Sequence, residues 1–451
     1  MASASRIVVG AEDKDLWSAA QGNQGSRDEE AAAKASELLQ ADLTKYHVFF
    51  NTLGYHNHLV HQVLTLYSTG APASVIQAAF DANKSYQIDR LPTHPHVVAE
   101  LHTDFAAHAP KYLGRADHYP DFLRFFQDEI DKRGWQAVIG EFLCSDGPVA
   151  RHMVQRLFSG IAHPMIQLGF GLEWEQPAIM AEGLAQTAVH HNPLGNFFDR
   201  VDEAVRAPGP ADTDVPRRGL SDLCEKMQRE NPKLASASTW RDGDGSLYDG
   251  VLGRGLEDAV ALCANIRVRQ HDYEERVAEA IHHNAYVAAS ASWKPPHIPK
   301  YDFYLMHSLN SSMFLLCLDK PCFPVSARLR ILEHKMRYDV VQYVARGCPA
   351  LSPSHVTNYD PGERLVRRPE DLLPRYHGII DDGHVIKAAR SLLLAQRVSR
   401  KWAGKAWIRI AQDQDWLKAH YMLLKSVEGQ EPPWVRSAGF DEAWSAVPRL
   451  E

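Results

Sequence analysis

Four separated stretches of this chain hold imidazoles, and one of them also holds an amine, in settings where they can act on a metal. Tyr55-His-Asn-His-Leu-Val-His61 opens an apolar run, and His58 and His61 stand three apart, so a helix places both on one face. His163 precedes Pro164, a residue suited to the first turn of a helix, at the head of a run that ends near Glu173. His307 closes Tyr301-Asp-Phe-Tyr-Leu-Met-His307, and His384 and Lys387 stand three apart in Asp381-Asp-Gly-His-Val-Ile-Lys387. A lone histidine on an apolar helix is ordinarily hydrogen-bonded core. Four such places are harder to dismiss, because each buried, unpartnered imidazole costs free energy and one shared ion satisfies them together. Neutral imidazole suits iron, copper and zinc. His56 and His61 flank His58, so this first block offers alternatives to it. His190-His191 and His282-His283 are weaker candidates, since neighbours on a helix diverge by about 100°.

Lys387 needs its own argument, because an exposed helical lysine is the default. Its neighbours near the same face include His384, Ala388, Ser391 and Leu394, which predicts a buried setting. Burial disfavours the ammonium form and lowers the pKa. A neutral amine takes up carbon dioxide to give a carbamate, an anionic ligand that a set of imidazoles lacks.

Helices must position these groups. Apolar residues spaced by three and four predict helices over 27–44, 56–68, 73–86, 119–133, 136–145, 148–159, 165–191, 219–229, 256–291, 301–319, 324–346, 381–401 and 413–427. Strand-like character is confined to 7–9 and 45–50. The expected fold class is all-α, a single large multi-helix domain with long loops. An N-terminal extension covers 1–26, and the helical domain covers 27–451, with irregular insertions near 207–255 and 347–375 where Pro, Gly and Asp gather.

Composition narrows the class. Of 451 residues, 45% are hydrophobic and 23% charged, which is ordinary globular usage. The net charge of -7 argues against nucleic acid as a partner. No run of 18 apolar residues is present, so no membrane span is expected. The start lacks a basic segment followed by an apolar one, so no signal peptide is expected and a cytoplasmic location is. Six cysteines without a C-x-x-C pair predict reduced thiols and no cysteine-held zinc.

The same blocks resemble the questin oxidase-like family of fungal aromatic polyketide pathways. The resemblance rests on Gly54-Tyr-His-Asn-His-Leu-Val-His61 with Leu66-Tyr-Ser-Thr-Gly-Ala71, His163-Pro-Met-Ile-Gln-Leu-Gly169 with Glu173, Asp302-Phe-Tyr-Leu-Met-His307, and Asp382-Gly-His-Val-Ile-Lys-Ala-Ala-Arg390. These blocks run from about 45 to 400. The resemblance implies a non-heme iron oxygenase, expected to be a dioxygenase, that opens a ring of an anthraquinone-type quinone. It implies Fe(II), dioxygen as co-substrate, and ligands at His58, His163, His307, His384 and a carbamylated Lys387. The partner is then a small aromatic quinone or hydroquinone, with a pathway reductase to supply the reduced form. Tyr55 and Asp302 are the candidates for handling a substrate proton, and Glu173 or Asp302 for receiving a ligand ring's N–H. Phe170, Trp174, Phe303 and Tyr304 are candidates for an aromatic pocket.

Three rival readings remain. A Baeyer–Villiger-type monooxygenase using flavin and NADPH needs a glycine-rich strand–turn–helix, for which Gly169-Phe-Gly171 and Gly253-Arg-Gly255 are the nearest matches. A helical metal-dependent phosphohydrolase is suggested only by His271-Asp272. A non-catalytic helical scaffold leaves the histidines unexplained.

Overall fold

The computed structural model describes residues 1–20, 27–206 and 218–450. Among them the fold is all-α, and no strand forms; extended pairing is limited to isolated bridges such as Tyr46 with Asp89 and Phe49 with His56. The 7–9 segment does not become a strand because side chains take its amides. Gln40, Ser36 and Gln176 accept from Ile7, Val9 and Val8.

The helices that matter for the site are α1 (Glu29–Lys45), α2 (Leu59–Ser68), α3 (Pro95–Thr103), α4 (Tyr119–Arg133), α5 (Ser159–Glu173), α6 (Pro177–Val189), α7 (Tyr273–Ala291), α8 (Phe303–Ser312), α9 (Val325–Ala345), α10 (His384–Arg400) and α11 (Asp413–Val427). Their starts follow local chemistry. Asp28 caps α1 by accepting from the Glu30 amide, with Glu29 and Glu30 in the first turn and Lys45 in the last, as the helix dipole favours. The helix expected over 165–191 is two helices. Its break falls at Glu175, which has a φ of 50°, and Pro177 then starts α6. The helix expected over 256–291 divides as well, between Cys263 and Tyr273.

The chain forms two compact units from interleaved stretches. One comprises Met1–Leu194, Phe314–Arg328 and Leu373–Arg390, the other Gly195–Met313, Leu329–Leu372 and Ser391–Glu451. In the first, every residue of α2 is buried. There α5 and α6 approach backbone to backbone: a Cβ on Gly183 would lie 2.6 Å from Leu168 Cα, so only glycine permits this contact. The N-terminal stretch belongs to this unit, with the Leu16 amide donating to Glu173. In the second unit, α9 carries a buried ion pair between Lys335 and Asp339. Of the expected insertion at 207–255, residues 207–217 lie outside the described residues, and much of the remainder winds into short helical turns such as Leu220–Glu225 and Trp240–Ser246. No helix among the described residues is long and apolar enough to cross a membrane.

Candidate metal centre

Three of the expected ligands converge within the first unit. His58 is the N-cap residue of α2, His163 stands where α5 resumes right-handed backbone, and His384 is the first residue of α10. All three are buried, and each offers a ring nitrogen within 4.8 Å of the others'. The ring centroids of His58 and His384 are 4.6 Å apart, and those of His58 and His163 5.0 Å.

Hydrogen bonds fix which nitrogen faces the centre. His163 Nδ1 lies 2.6 Å from the Gly160 carbonyl, so it must donate, and the lone pair sits on Nε2. His384 Nδ1 donates in the same way to Asp382 Oδ1. His58 Nε2 is 2.9 Å from His163 Nε2, while His58 Nδ1 is 3.7 Å from Asp382 Oδ2. A proton on His58 Nε2 would bond to His163 but turn the Nδ1 lone pair toward a carboxylate. A proton on Nδ1 favours Asp382 and sets two Nε2 lone pairs face to face. A cation between them removes the conflict. The spacing suits one: two nitrogens at about 2.1 Å from an ion and 90° apart are about 3.0 Å from each other. The donor set therefore fits a borderline metal such as iron or zinc.

Lys387, one turn into α10, is buried, and its Nζ has no hydrogen-bond partner. Burial brings its pKa down to about 8, against the opposing pull of Asp382 and Asp381. Burial, then the neighbouring Lys387, holds His58 and His61 well below the usual imidazole range. Asp382 would be raised by its own burial, but His384 and Lys387 beside it keep it below the usual carboxylate range.

The backbone ahead of His163 is strained. Gly160, Ile161 and Ala162 have φ of 52°, 60° and 59°. Left-handed backbone costs roughly 1–2 kcal/mol at each L-residue, and a β-branched isoleucine is an outlier there. The turn brings the Gly160 carbonyl to His163 Nδ1. It also clears space, since a Cβ on Gly160 would lie 2.4 Å from His190 and 2.8 Å from His56.

His56 and His61 have different places. The His56 ring stacks on His163, with centroids 3.8 Å apart and planes 3° from parallel, and its Nε2 faces His190 Nε2 at 2.9 Å. The sequence offers His56 as an alternative to His58 and His190 as a weaker candidate but does not show their contact, and it gives Asp382 no role, although Asp-x-His at the start of a helix signals one. His61 is fully buried, stacks on Phe170 at 5.3 Å and has Gln167 beside its ring. Tyr55 is half exposed. Glu173 is not beside the rings: it bonds the Leu16 amide and pairs with Arg390. Trp174 packs with Tyr67 under Arg27.

In the second unit His307 is buried on α8, and its Nδ1 lies 2.6 Å from the Phe303 carbonyl, giving it the same tautomer as His163. Asp302 caps α8, accepting from the Tyr304 and Leu305 amides through Oδ1 and from Ala438 through Oδ2. Tyr304 donates to Asp244, and Arg346 lies over its ring. Gly169-Phe-Gly171 lies inside α5, without the strand–turn–helix a dinucleotide needs.

The sequence profile of the questin oxidase-like family matches residues 55–392. The chain belongs to the questin oxidase-like family. Its span encloses all five expected ligand positions. Among its relatives are Baeyer-Villiger oxidase ptaJ of Pestalotiopsis fici, 34% identical over 92% of this chain and 93% of that protein, and questin oxidase of Aspergillus fumigatus, 32% identical over 93% and 94%. Oxidoreductase AflY of Aspergillus parasiticus is 32% identical over 91% of this chain and 82% of its own.

Proposed function

We propose that this chain is an oxidoreductase that opens a ring of an anthraquinone-type quinone with dioxygen, using non-heme Fe(II). The observation that carries the reading is the convergence of His58 and His163 Nε2 at 2.9 Å, beside His384 and a buried lysine. The ligands are His58, His163, His307 and His384, with carbamylated Lys387 supplying the negative charge. His58 is preferred over His56 and His61 because it alone of the three groups its ring nitrogen with those of His163 and His384, while His56 Nε2 faces His190. Bound iron supplies the one-electron chemistry that lets dioxygen react with a closed-shell aromatic.

The chain's own residues set the conditions. Asp382 keeps the proton on His384 Nδ1 and draws the His58 ring to its place, the orienting duty such carboxylates perform. Phe170 covers the His61 side with an apolar face that excludes water. With its pKa lowered to about 8, Lys387 holds a minor neutral fraction near neutral pH, and that fraction takes up carbon dioxide. Tyr55 handles the substrate proton, since Asp302 has both oxygens committed to capping. The substrate enters as a hydroquinone, supplied by a partner reductase. The relatives' names include Baeyer-Villiger oxidases and questin oxidases, which supports oxidative chemistry on such rings.

Metal analysis of anaerobically purified wild type, His384→Ala and Lys387→Ala tests this, followed by oxygen uptake with a reduced anthraquinone. Near-stoichiometric iron lost in both variants, with iron-dependent uptake, is expected. Wild-type protein that consumes oxygen equally well without iron overturns the assignment.

A further inference from the structure

A second cluster stands at the starts of α3 and α4. His94 is the N-cap residue of α3, His118 that of α4, and Asp121 lies in the first turn of α4. His94 Nδ1 is 3.0 Å, and His118 Nδ1 2.7 Å, from the same oxygen, Asp121 Oδ2. The His94 amide donates to Oδ1 at 2.5 Å. The three donor atoms all lie within 4.8 Å of one another. We propose that His94, His118 and Asp121 form a second metal site, for a borderline divalent ion of the zinc class.

Two observations carry this. The first is convergence: a single carboxylate oxygen receives two imidazole nitrogens, as it would beside an ion they share. The second is the far side of His118. Its Nε2 is buried without a hydrogen-bond partner, 3.8 Å from Asp117 Oδ2. With Nδ1 as the donor to Asp121, Nε2 holds a buried lone pair opposite a carboxylate, which is unfavourable. An ion on Nδ1 moves that proton to Nε2 and points it at Asp117, the arrangement carboxylates adopt behind metal-bound imidazoles. An imidazolium at His118, with His94 Nδ1–H also donating to Asp121 Oδ2, relieves the same conflict and is the competing occupant that a zinc titration distinguishes.

Two nitrogens and one oxygen suit zinc, nickel or cobalt, with water in the remaining position. The His94 side chain is 47% exposed, so an ion has a path in from solvent. The bound ion ties the start of α3 to the start of α4. This site is independent of the iron reading, as it shares no residue with it.

Calorimetric titration of zinc into the full chain, stripped with chelator, tests the proposal on wild type, His94→Ala and Asp121→Asn. His94 is exposed enough that its replacement leaves the core intact. Each variant is expected to bind one equivalent fewer than wild type, and the decrement to persist in a His384→Ala background. Equal stoichiometry in wild type and His94→Ala overturns the proposal and leaves a proton as the occupant. So does a decrement that vanishes once His384 is replaced.

Discussion

Replacing Asp382 with asparagine tests the logic of the centre without removing a ligand. The change keeps the side chain's size and takes away its charge. His384 Nδ1–H then donates to a neutral oxygen instead of a carboxylate. Hydrogen bonds to charged groups contribute about 1.5–3 kcal/mol and neutral ones about 0.5–1.5, so roughly 1–1.5 kcal/mol is lost there. That is about tenfold in an equilibrium constant. The second ring, His58, stands 3.7 Å from the other oxygen, beyond hydrogen-bonding distance, and adds a smaller attraction. The sum falls within the roughly 10–100-fold that orienting partners contribute to metal affinity. The assay is chelator competition for iron under anaerobic conditions. Asp381→Ala serves as the contrast. Its oxygens accept from the Gly383 and Val385 amides at the start of α10, so its loss costs about 1 kcal/mol of stability through the cap. If Asp382→Asn binds iron as tightly as wild type while His384→Ala binds none, the carboxylate does not orient the ring and the tautomer argument fails.

Gly160→Ala should lower stability by about 2–5 kcal/mol, from left-handed backbone and overpacking against His190 and His56, and weaken iron binding too; urea denaturation and metal content read the two effects separately. The wild type should give a carbamate carbon signal by NMR with ¹³C-labelled bicarbonate that Lys387→Met lacks, and a signal of equal strength in the variant would place any carbamate elsewhere. Because the Lys387 amine becomes neutral above its pKa of about 8, and only the neutral form reacts, bicarbonate-dependent iron loading should rise through about pH 8. Loading that falls over that range contradicts the sign. Glu173→Gln leaves the Arg390 guanidinium buried with only Asp15, 3.9 Å away, to balance it, and should cost about 3 kcal/mol by chemical denaturation.

Much of this was legible from residue spacing, and what was not has physical reasons. Helical period located α2, α4, α8 and α10, the elements that carry or flank the imidazoles, because their buried faces repeat every three to four residues. It missed Gly195–Arg206, although Phe197, Phe198 and Val201 recur there at helical spacing, and it ran across Glu175, where one backbone angle ends a helix in apolar sequence. Lys387 was read as buried from its neighbours, and it is. Asp302 invited a chemical role by its position before His307, but an aspartate at a helix start finds amides first. The stacking of His56 on His163 joins residues 107 positions apart in sequence, which no local pattern reveals.

The left-handed turn at 160–162 bears on how the protein would acquire its ion. Its strain is held by packing in the folded chain, and its backbone directs the His163 ring through the Gly160 carbonyl. Such a centre is cast in advance. Unlike zinc fingers, which fold around their metal, this protein should complete its fold first and be loaded afterwards. Imidazole donors bind first-row ions in a common order of affinity, so the donor types alone do not single out iron. Geometry and the cell's supply at the moment of loading would then decide which metal is resident, and mismetallated protein would be well folded and inert.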